Sequence, residues 1–310
     1  MVDAFYNYPN EVLLKLQNVQ IEILKKFDEI CQKYGIVYWA TYGTAIGAVR
    51  HHGFIPWDDD IDLGIMLDDY DKLKKVPKEE WGEYEFVTGA DDNTYHHALF
   101  AKVYKKNSVL ETQWRIDYAK QKGIYHSLPI WIDLFIYNHV KDIKEVKRNI
   151  SKAVLYRKLY WCSKNSMRVK QNDSFRMKLG CFSRILIHKL LNVINNPEKR
   201  IFNRFSKFLR KIDKGGGKYV TTFTCLETYE MTGVLCEEKD MFPIIRMPFG
   251  DTTIPMQKNY HEILTNLYGD YMQLPPEEKR INHCPAILDL GDGQGNLLES
   301  YSHILQDIRK

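Results

Sequence analysis

Apolar positions in the N-terminal part of the chain recur with the period of a helix. Within residues 10–34, apolar side chains stand three or four positions apart, and the positions between them are mostly polar. In an α-helix this spacing places the apolar side chains on one face. The pattern therefore predicts an amphipathic helix with a buried face that contains Val12, Leu16, Val19, Ile23, Phe27 and Ile30.

Further along the chain, short runs of β-branched and aromatic residues predict strands, and longer periodic segments predict helices. Strands are expected at 36–41, 58–65, 84–88, 98–104 and 128–136, with short strands and loops over 218–256. Helices are expected at 42–50, 67–73, 141–165, 174–195, 198–212 and 258–273. Three glycines at 215–217 are expected to form a hinge or a boundary.

This order of elements predicts an α/β (α+β) fold, in which helices flank a mixed sheet. We expect a core over residues 1–140, a basic helical insertion over 141–217, and a C-terminal part over 218–310 that completes the domain.

Composition is near the globular average, with 44% hydrophobic and 27% charged residues in a chain of 310. The first residues lack the basic start and apolar core of a signal peptide, and no apolar run reaches the length of about 18 residues that a membrane helix needs. The six cysteines form no Cys-x-x-Cys pair, which predicts reduced thiols and no structural zinc. We therefore expect a cytoplasmic protein.

Positive charge is concentrated in the predicted helical insertion. Residues 141–218 contain 22 Lys or Arg against 5 Asp or Glu, although the formal net charge of the whole chain is +4. Such a segment either contacts an anionic membrane at the inner face, or packs its apolar side on the core and leaves its cations in solvent. Nucleic acid is not expected as a partner, because no nucleic-acid-binding motif accompanies the charge.

Four aspartates stand within five residues, from Asp58 to Asp62, in front of an apolar run. Alternate side chains of a strand share a face, so Asp60 and Asp62 are expected to point the same way while Ile61 packs behind them. Two carboxylates so close repel each other unless a cation lies between them, and oxygen ligands suit Mg²⁺ or Mn²⁺. The alternative is an acidic turn before an ordinary strand.

A glycine-threonine pair, Gly43 and Thr44, is expected to form the turn that opens the short helix after the strand at 36–41. A helix N-terminus offers unpaired backbone N–H groups and the positive end of the helix dipole, which suit a phosphate. Arg50, at the end of this helix, is either a phosphate contact or a solvated surface charge.

The order strand, Gly-Thr turn, helix and Asp-x-Asp strand resembles the nucleotidyltransferase superfamily, which includes DNA polymerase β. Residues 42–62 as a whole resemble the signature of the LicD family, which includes bacterial phosphocholine transferases. A second block is similar to the C-terminal block of that family. It consists of 247–251, Ile254, Pro255, Tyr260, Leu264, 267–272, Pro275, Pro276 and Arg280.

A third carboxylate from a later strand is the pattern of the superfamily, and Asp133 is the candidate. It stands among apolar neighbours in the run 128–136, where a lone buried carboxylate would be costly. A strand-end aspartate that faces water is the alternative. The resemblance also implies that Lys102 is a phosphate contact. A carboxylate beside the metal can take the proton from the attacking hydroxyl, and Asp58 and Asp133 are the better placed by sequence.

The resemblance implies an Mg²⁺-dependent transfer of phosphocholine, or a similar phosphoalcohol, from CDP-choline or a related CDP-alcohol to a sugar hydroxyl of a glycan precursor that can be lipid-linked. CDP-ribitol and CDP-glycerol remain alternative donors, since fukutin-related protein is a relative. Trp57 is expected near the donor, because a quaternary ammonium binds aromatic faces. The other aromatic residues near the expected site are Trp39, Tyr42, Tyr125 and Trp131.

Two other functions stay open on the sequence alone. One is a nucleotidyltransferase that transfers the nucleotide and releases pyrophosphate. The other is a non-catalytic membrane-binding or nucleic-acid-binding protein that acts through the basic segment. The complete set of aspartates favours an enzyme, because a binding module does not require three carboxylates at these positions.

Overall fold

The structure is a computed structural model that describes residues 9–91, 98–113, 116, 127–164, 175–225, 235–280, 282–283 and 285–299. Its α-helices are α1 (Asn10–Lys33), α2 (Tyr42–His51), α3 (Leu67–Leu73), α4 (Ile143–Lys164), α5 (Phe175–Leu191), α6 (Pro197–Asp213), α7 (Glu238–Met241) and α8 (Tyr260–Tyr268). Its strands are β1 (Tyr38–Ala40), β2 (Asp62–Met66), β3 (Tyr84–Val87), β4 (Ala101–Lys105), β5 (Val109–Glu111), β6 (Trp131–Val140), β7 (Tyr219–Thr222), β8 (Cys236–Glu237), β9 (Ile245–Phe249), β10 (Thr252–Met256) and β11 (Ile287–Asp289).

A seven-stranded mixed sheet forms the centre of the fold, with the strand order β1-β2-β6-β4-β3. The long strand β6 pairs in parallel with β2 and antiparallel with β4, and its C-terminal half pairs with β7, which in turn pairs with β8. Two small antiparallel sheets, β9–β10 and β5–β11, lie apart from it. Helices flank this sheet, which confirms the predicted α+β class.

The amphipathic pattern of the N-terminal segment is confirmed by α1, which ends one residue earlier than expected. Its apolar face is buried completely at Leu16, Ile23 and Phe27 and contacts β4 and β6. The helix expected at 258–273 is shorter, because α8 ends at Tyr268 where Gly269 takes φ +68°. A positive φ ends a helix and favours glycine.

The helices of the basic segment differ in how they pack. The apolar residues of α6, among them Phe202, Phe205 and Leu209, are buried against α4 and β6. One cation of this helix is also engaged in packing, because Arg210 forms a bidentate ion pair with Asp71 of α3, with Nη2 at 2.8 Å from Oδ1. For α6, the apolar residues therefore face the core.

The glycines at 215–217 form a packed connection between α6 and β7. Gly217 takes φ +153°, and a Cβ on it would overlap the carbonyl group of Val140 at the end of β6. A side chain at this position would separate the connection from the sheet edge, so glycine is required by close approach.

Five cysteines of the described residues are free thiols, and Cys284 lies outside those residues. Within the described ranges, every helix is too short or too polar to cross a membrane.

Candidate functional site

Three charged side chains form a row across the centre of the sheet. Asp133 of β6 stands directly opposite Asp62 of β2 on one side and Lys102 of β4 on the other. Residues in register on neighbouring strands place their side chains on the same face, about 4.8 Å apart. The Lys102 ammonium forms an ion pair with Asp133 Oδ1, and only 11% and 13% of these side chains are exposed.

The other aspartates lie in the loop that enters β2. We expected Asp60 to belong to the strand itself, but pairing begins at Asp62, so Asp58, Asp59 and Asp60 precede it. The reason is that the backbone here is held from outside the sheet: the Asp58 and Asp59 carbonyls accept hydrogen bonds from α1. We call residues 58–60 the acidic loop.

Burial raises the pKa of Asp58, Asp60 and Asp62, and repulsion between neighbouring carboxylates raises it further. The main neighbours are Asp60 for both Asp58 and Asp62, and Asp133 for Asp60. Each carboxylate is therefore costly to ionise in the presence of the others, which a bound cation would relieve.

These carboxylates have the donor chemistry that fits a hard divalent cation. As they stand, the described residues contain no group of three or more His, Cys, Asp or Glu side chains arranged to hold a metal ion. The cationic group that pairs with Asp133 in this arrangement is the ammonium of Lys102.

Gly43 and Thr44 lie in the first turn of α2. Thr44 is buried, and its Oγ1 accepts a hydrogen bond of 2.8 Å from the Asp62 backbone N–H. A Cβ on Gly43 would lie 2.8 Å from Asp58 Oδ2. The glycine thus leaves room for the Asp58 carboxylate beside the N-terminal turn, where the helix dipole favours negative charge.

Arg50 contacts the C-terminal block of the sequence. Its Nη1 donates to the backbone oxygens of Tyr271 at 2.6 Å and Gln273 at 3.3 Å. Burial and the nearby charge of Arg280 lower the pKa of Arg50. The Arg280 guanidinium in turn lies 5.2 Å from the ring centroid of Trp57, just ahead of the acidic loop.

The other candidate aromatic residues have packing or polar roles. Trp39 is completely buried beneath Gly64, and the Tyr42 hydroxyl lies 2.8 Å from Cys225 Sγ. Trp131 is partly exposed, and its ring centroid lies 4.2 Å from Lys102 Nζ. Tyr125 lies outside the described residues.

Two glutamines of α1 were missed by the sequence analysis. Gln17 Nε2 donates to the Asp58 carbonyl and Gln20 Nε2 to the Asp59 carbonyl, each at 2.8 Å, and both side chains are buried. A signal was present, because Gln20 stands on the apolar face of the helix, four residues after Leu16. A polar residue in such a position requires a buried partner.

A histidine near the C-terminus was also missed. Both oxygens of the buried Asp59 carboxylate bind His283, one at the backbone N–H and one at Nδ1, each at 3.0 Å. The hydrogen bond to Asp59 raises the pKa of His283 to about 9, so the pair is a salt bridge at neutral pH. Nothing in the sequence links positions so far apart.

Comparison with known proteins agrees with the resemblance of the two blocks. The pattern of the family described as "LicD/FKTN/FKRP, nucleotidyltransferase domain" matches residues 35–151, which contain the row of charges and the acidic loop. The lipopolysaccharide cholinephosphotransferase LicD of Haemophilus influenzae is 30% identical over 283 residues, covering 87% of this chain and 95% of its own length.

Two mammalian relatives match over shorter segments. The ribitol 5-phosphate transferase FKRP of Mus musculus is 40% identical over 106 residues, which cover 29% of this chain and 22% of FKRP. The ribitol-5-phosphate transferase FKTN of the same species is 37% identical over 49 residues, 16% of this chain and 11% of its own length. The near full-length similarity to the bacterial transferase is what decides the family. The chain belongs to the LicD family of transferases.

Proposed function

We propose that this transferase moves phosphocholine from CDP-choline to a sugar hydroxyl of a glycan precursor, with the help of Mg²⁺ or Mn²⁺. The observation that carries the proposal is the row formed by Asp62, Asp133 and Lys102 on one face of the sheet, beside the acidic loop. It combines oxygen donors for a metal with a cation for a phosphate on three neighbouring strands.

Asp60, Asp62 and Asp133 would hold the metal ion. When bound, the ion neutralises charge on the phosphates of the donor. This assignment is supported by the raised pKa of Asp60 and Asp62, since burial and the neighbouring carboxylates outweigh the nearby positive charge of Lys102 and a bound cation would relieve the repulsion. The assignment requires the Asp133 carboxylate to contact the metal ion and the Lys102 ammonium at the same time.

The remaining groups of the site position the donor and accept a proton. Lys102, paired with Asp133, and Arg280, beside the ring of Trp57, bring positive charge that would attract the phosphates. The start of α2 lies beside Asp58 at Gly43, and a helix N-terminus offers backbone N–H groups to a phosphate. We assign proton acceptance to Asp58, because the Asp133 carboxylate is already engaged by Lys102.

The choice of phosphocholine is supported by the near full-length similarity to a cholinephosphotransferase. A second candidate is ribitol phosphate, which the similarity of one segment to a ribitol 5-phosphate transferase favours. The rings of Trp57 and Trp131 already lie beside cations of the chain, Arg280 and Lys102, and a quaternary ammonium would require the same kind of contact with an aromatic face, whereas a ribitol requires hydrogen-bonding partners.

The test is a calorimetric binding screen of CDP-choline, CDP-ribitol, CDP-glycerol and CTP with the full chain and Mg²⁺. We expect CDP-choline to bind most tightly, and turnover with a glycan acceptor to release CMP and leave phosphocholine on the sugar. Release of pyrophosphate from CTP would instead identify a nucleotidyltransferase.

Two aspartate variants separate the metal site from general charge effects. Asp62→Asn should lose turnover almost completely while the protein stays folded, whereas Asp68→Asn, at an exposed position of α3, should behave as wild type. Equal activity of the two variants would contradict the assignment of the metal ligands.

A further inference from the structure

Helix α5 and the turn after it expose a continuous set of large apolar side chains. Phe182 is 61% exposed, Leu190 60% and Val193 82%. Successive positions three or four residues apart lie on one side of a helix. We call this set the apolar ridge; it comprises Phe182, Leu186, Ile187, Leu190, Val193 and Ile194.

The orientation of the ridge is fixed by contacts on the other side of the helix. His188 Nδ1 lies 2.7 Å from the Cys162 carbonyl oxygen, and Asn192 Nδ2 donates to the Ser163 carbonyl at 3.0 Å. These groups attach α5 to the C-terminal end of α4. The ridge therefore points away from α4.

Among the described helices of the basic segment, α5 exposes a continuous set of large apolar residues, whereas α4 exposes Leu155 at 54%. The neighbouring helix α6 buries its aromatic residues, as Phe205 and Phe208 show, and presents Arg204 and Lys207 to solvent. The apolar face of α6 is covered, whereas that of α5 is in contact with water. A large exposed apolar surface of this kind marks a site of contact with a partner.

Charge around the ridge indicates the nature of that partner. Residues 175–197 contain four Lys or Arg and no Asp or Glu. Lys189 is exposed within the ridge, and Lys199 and Arg200 are exposed just beyond it. Apolar side chains bordered by cations match a surface that is apolar inside and negative outside, which is the arrangement of an anionic lipid leaflet.

We propose that the apolar ridge inserts into the interface of a membrane that contains anionic lipid, with Lys189 and Lys199 at the level of the headgroups. This attachment keeps the transferase at a membrane surface, and it does not depend on which alcohol phosphate the enzyme transfers. Insertion requires no membrane-spanning helix, because the ridge is one side of a surface helix.

The experiment is sedimentation of the full chain with vesicles of phosphatidylcholine alone and with vesicles of equal parts phosphatidylcholine and phosphatidylglycerol. We expect binding to the mixed vesicles that weakens with added salt, and little binding to the neutral ones. Failure of the wild-type protein to bind the mixed vesicles at low salt would overturn the proposal.

Three double variants, each checked for an unchanged melting temperature, identify the surface. Leu186→Ser with Leu190→Ser should lower the partition constant by about tenfold or more, since both remove apolar area from the ridge. Lys189→Glu with Lys199→Glu should lower it about tenfold on mixed vesicles at low salt. The matched control, Leu14→Ser with Lys15→Glu on α1, changes one exposed leucine and one exposed lysine elsewhere and should bind as wild type.

Two results of this series would reject the ridge as a membrane contact. One is binding that all three variants retain equally, which would place the contact elsewhere. The other is a wild-type dimer in size-exclusion chromatography that the ridge variant converts to a monomer, without any vesicle binding. In that case the ridge would be an interface between two copies of the chain.

Discussion

Replacing Gln20 with methionine tests whether α1 holds the acidic loop in place. The change keeps the length of the side chain but removes the amide that donates to the Asp59 carbonyl at 2.8 Å and the Trp131 carbonyl at 3.4 Å. A buried carbonyl left without a donor costs about 1–3 kcal/mol. The Gln20 Oε1 itself is buried without a hydrogen-bond partner, and its removal offsets part of this cost. We therefore expect a net loss of about 2 kcal/mol in the free energy of unfolding.

The matched control is Gln32→Met on the same helix, because Gln32 is exposed and bonds only to Asp28 within its own helix. It should cost less than about 0.5 kcal/mol. Urea unfolding measures both losses, and steady-state transfer assays should show kcat/KM about tenfold lower or more for Gln20→Met alone, since the loop is displaced. Equal unfolding free energies for the two variants would refute the role of Gln20 as an anchor of the loop.

Three further changes probe other parts of the structure. Gly43→Ala should lower kcat/KM with little change in melting temperature, because the added Cβ would press on the mobile end of Asp58; a collapse in melting temperature would show that the glycine serves the fold. Arg210→Gln should cost about 1–2 kcal/mol by breaking the pair with Asp71. Burial raises the pKa of Asp71, but its hydrogen bonds, above all that with Arg210, lower it by more. The pair's contribution is therefore present above the ordinary pKa of about 4 and is lost as the pH falls through the lower folded value, so the cost of Arg210→Gln in urea unfolding should become smaller as the pH is lowered below about 4. Excess Mg²⁺ should stabilise the wild-type protein by about 2.7 kcal/mol at a concentration 100 times Kd, and Asp62→Asn should abolish this in a thermal scan with an EDTA control.

Local patterns in the sequence were sufficient for most elements of the fold. The periodic apolar residues of α1 and α6 form the faces that these helices bury, so the bounds of both helices were predicted nearly to the residue. The end of α8 was misjudged because a single residue, Gly269, turns the backbone to positive φ although apolar residues continue beyond it. Boundaries of this kind depend on backbone conformation more than on hydrophobic pattern.

The site was only partly predictable from the sequence, because the register between paired strands decides which of its residues are neighbours. That Asp62 and Asp133 are carboxylates on strands was visible, but their direct opposition follows from how β2 and β6 pair. The pairing of Lys102 with Asp133 has the same origin. The salt bridge between Asp59 and His283 spans two distant parts of the chain, and no local pattern encodes it.

That salt bridge makes the acidic loop depend on the order in which the chain is synthesised. Domains generally begin to fold from the N-terminus while synthesis continues. Helix α1 and strands β1 to β6 can therefore assemble before residue 283 has left the ribosome, and the loop is then held from the side of α1 alone. The contact on the other side of the loop, between His283 and Asp59, forms only after residue 283 has been synthesised.

A nascent or truncated protein that ends before His283 would thus have most of its sheet and an acidic loop that only the glutamines of α1 hold. In this protein, a single histidine that is synthesised long after the acidic loop supplies the contact that fixes the second side of that loop.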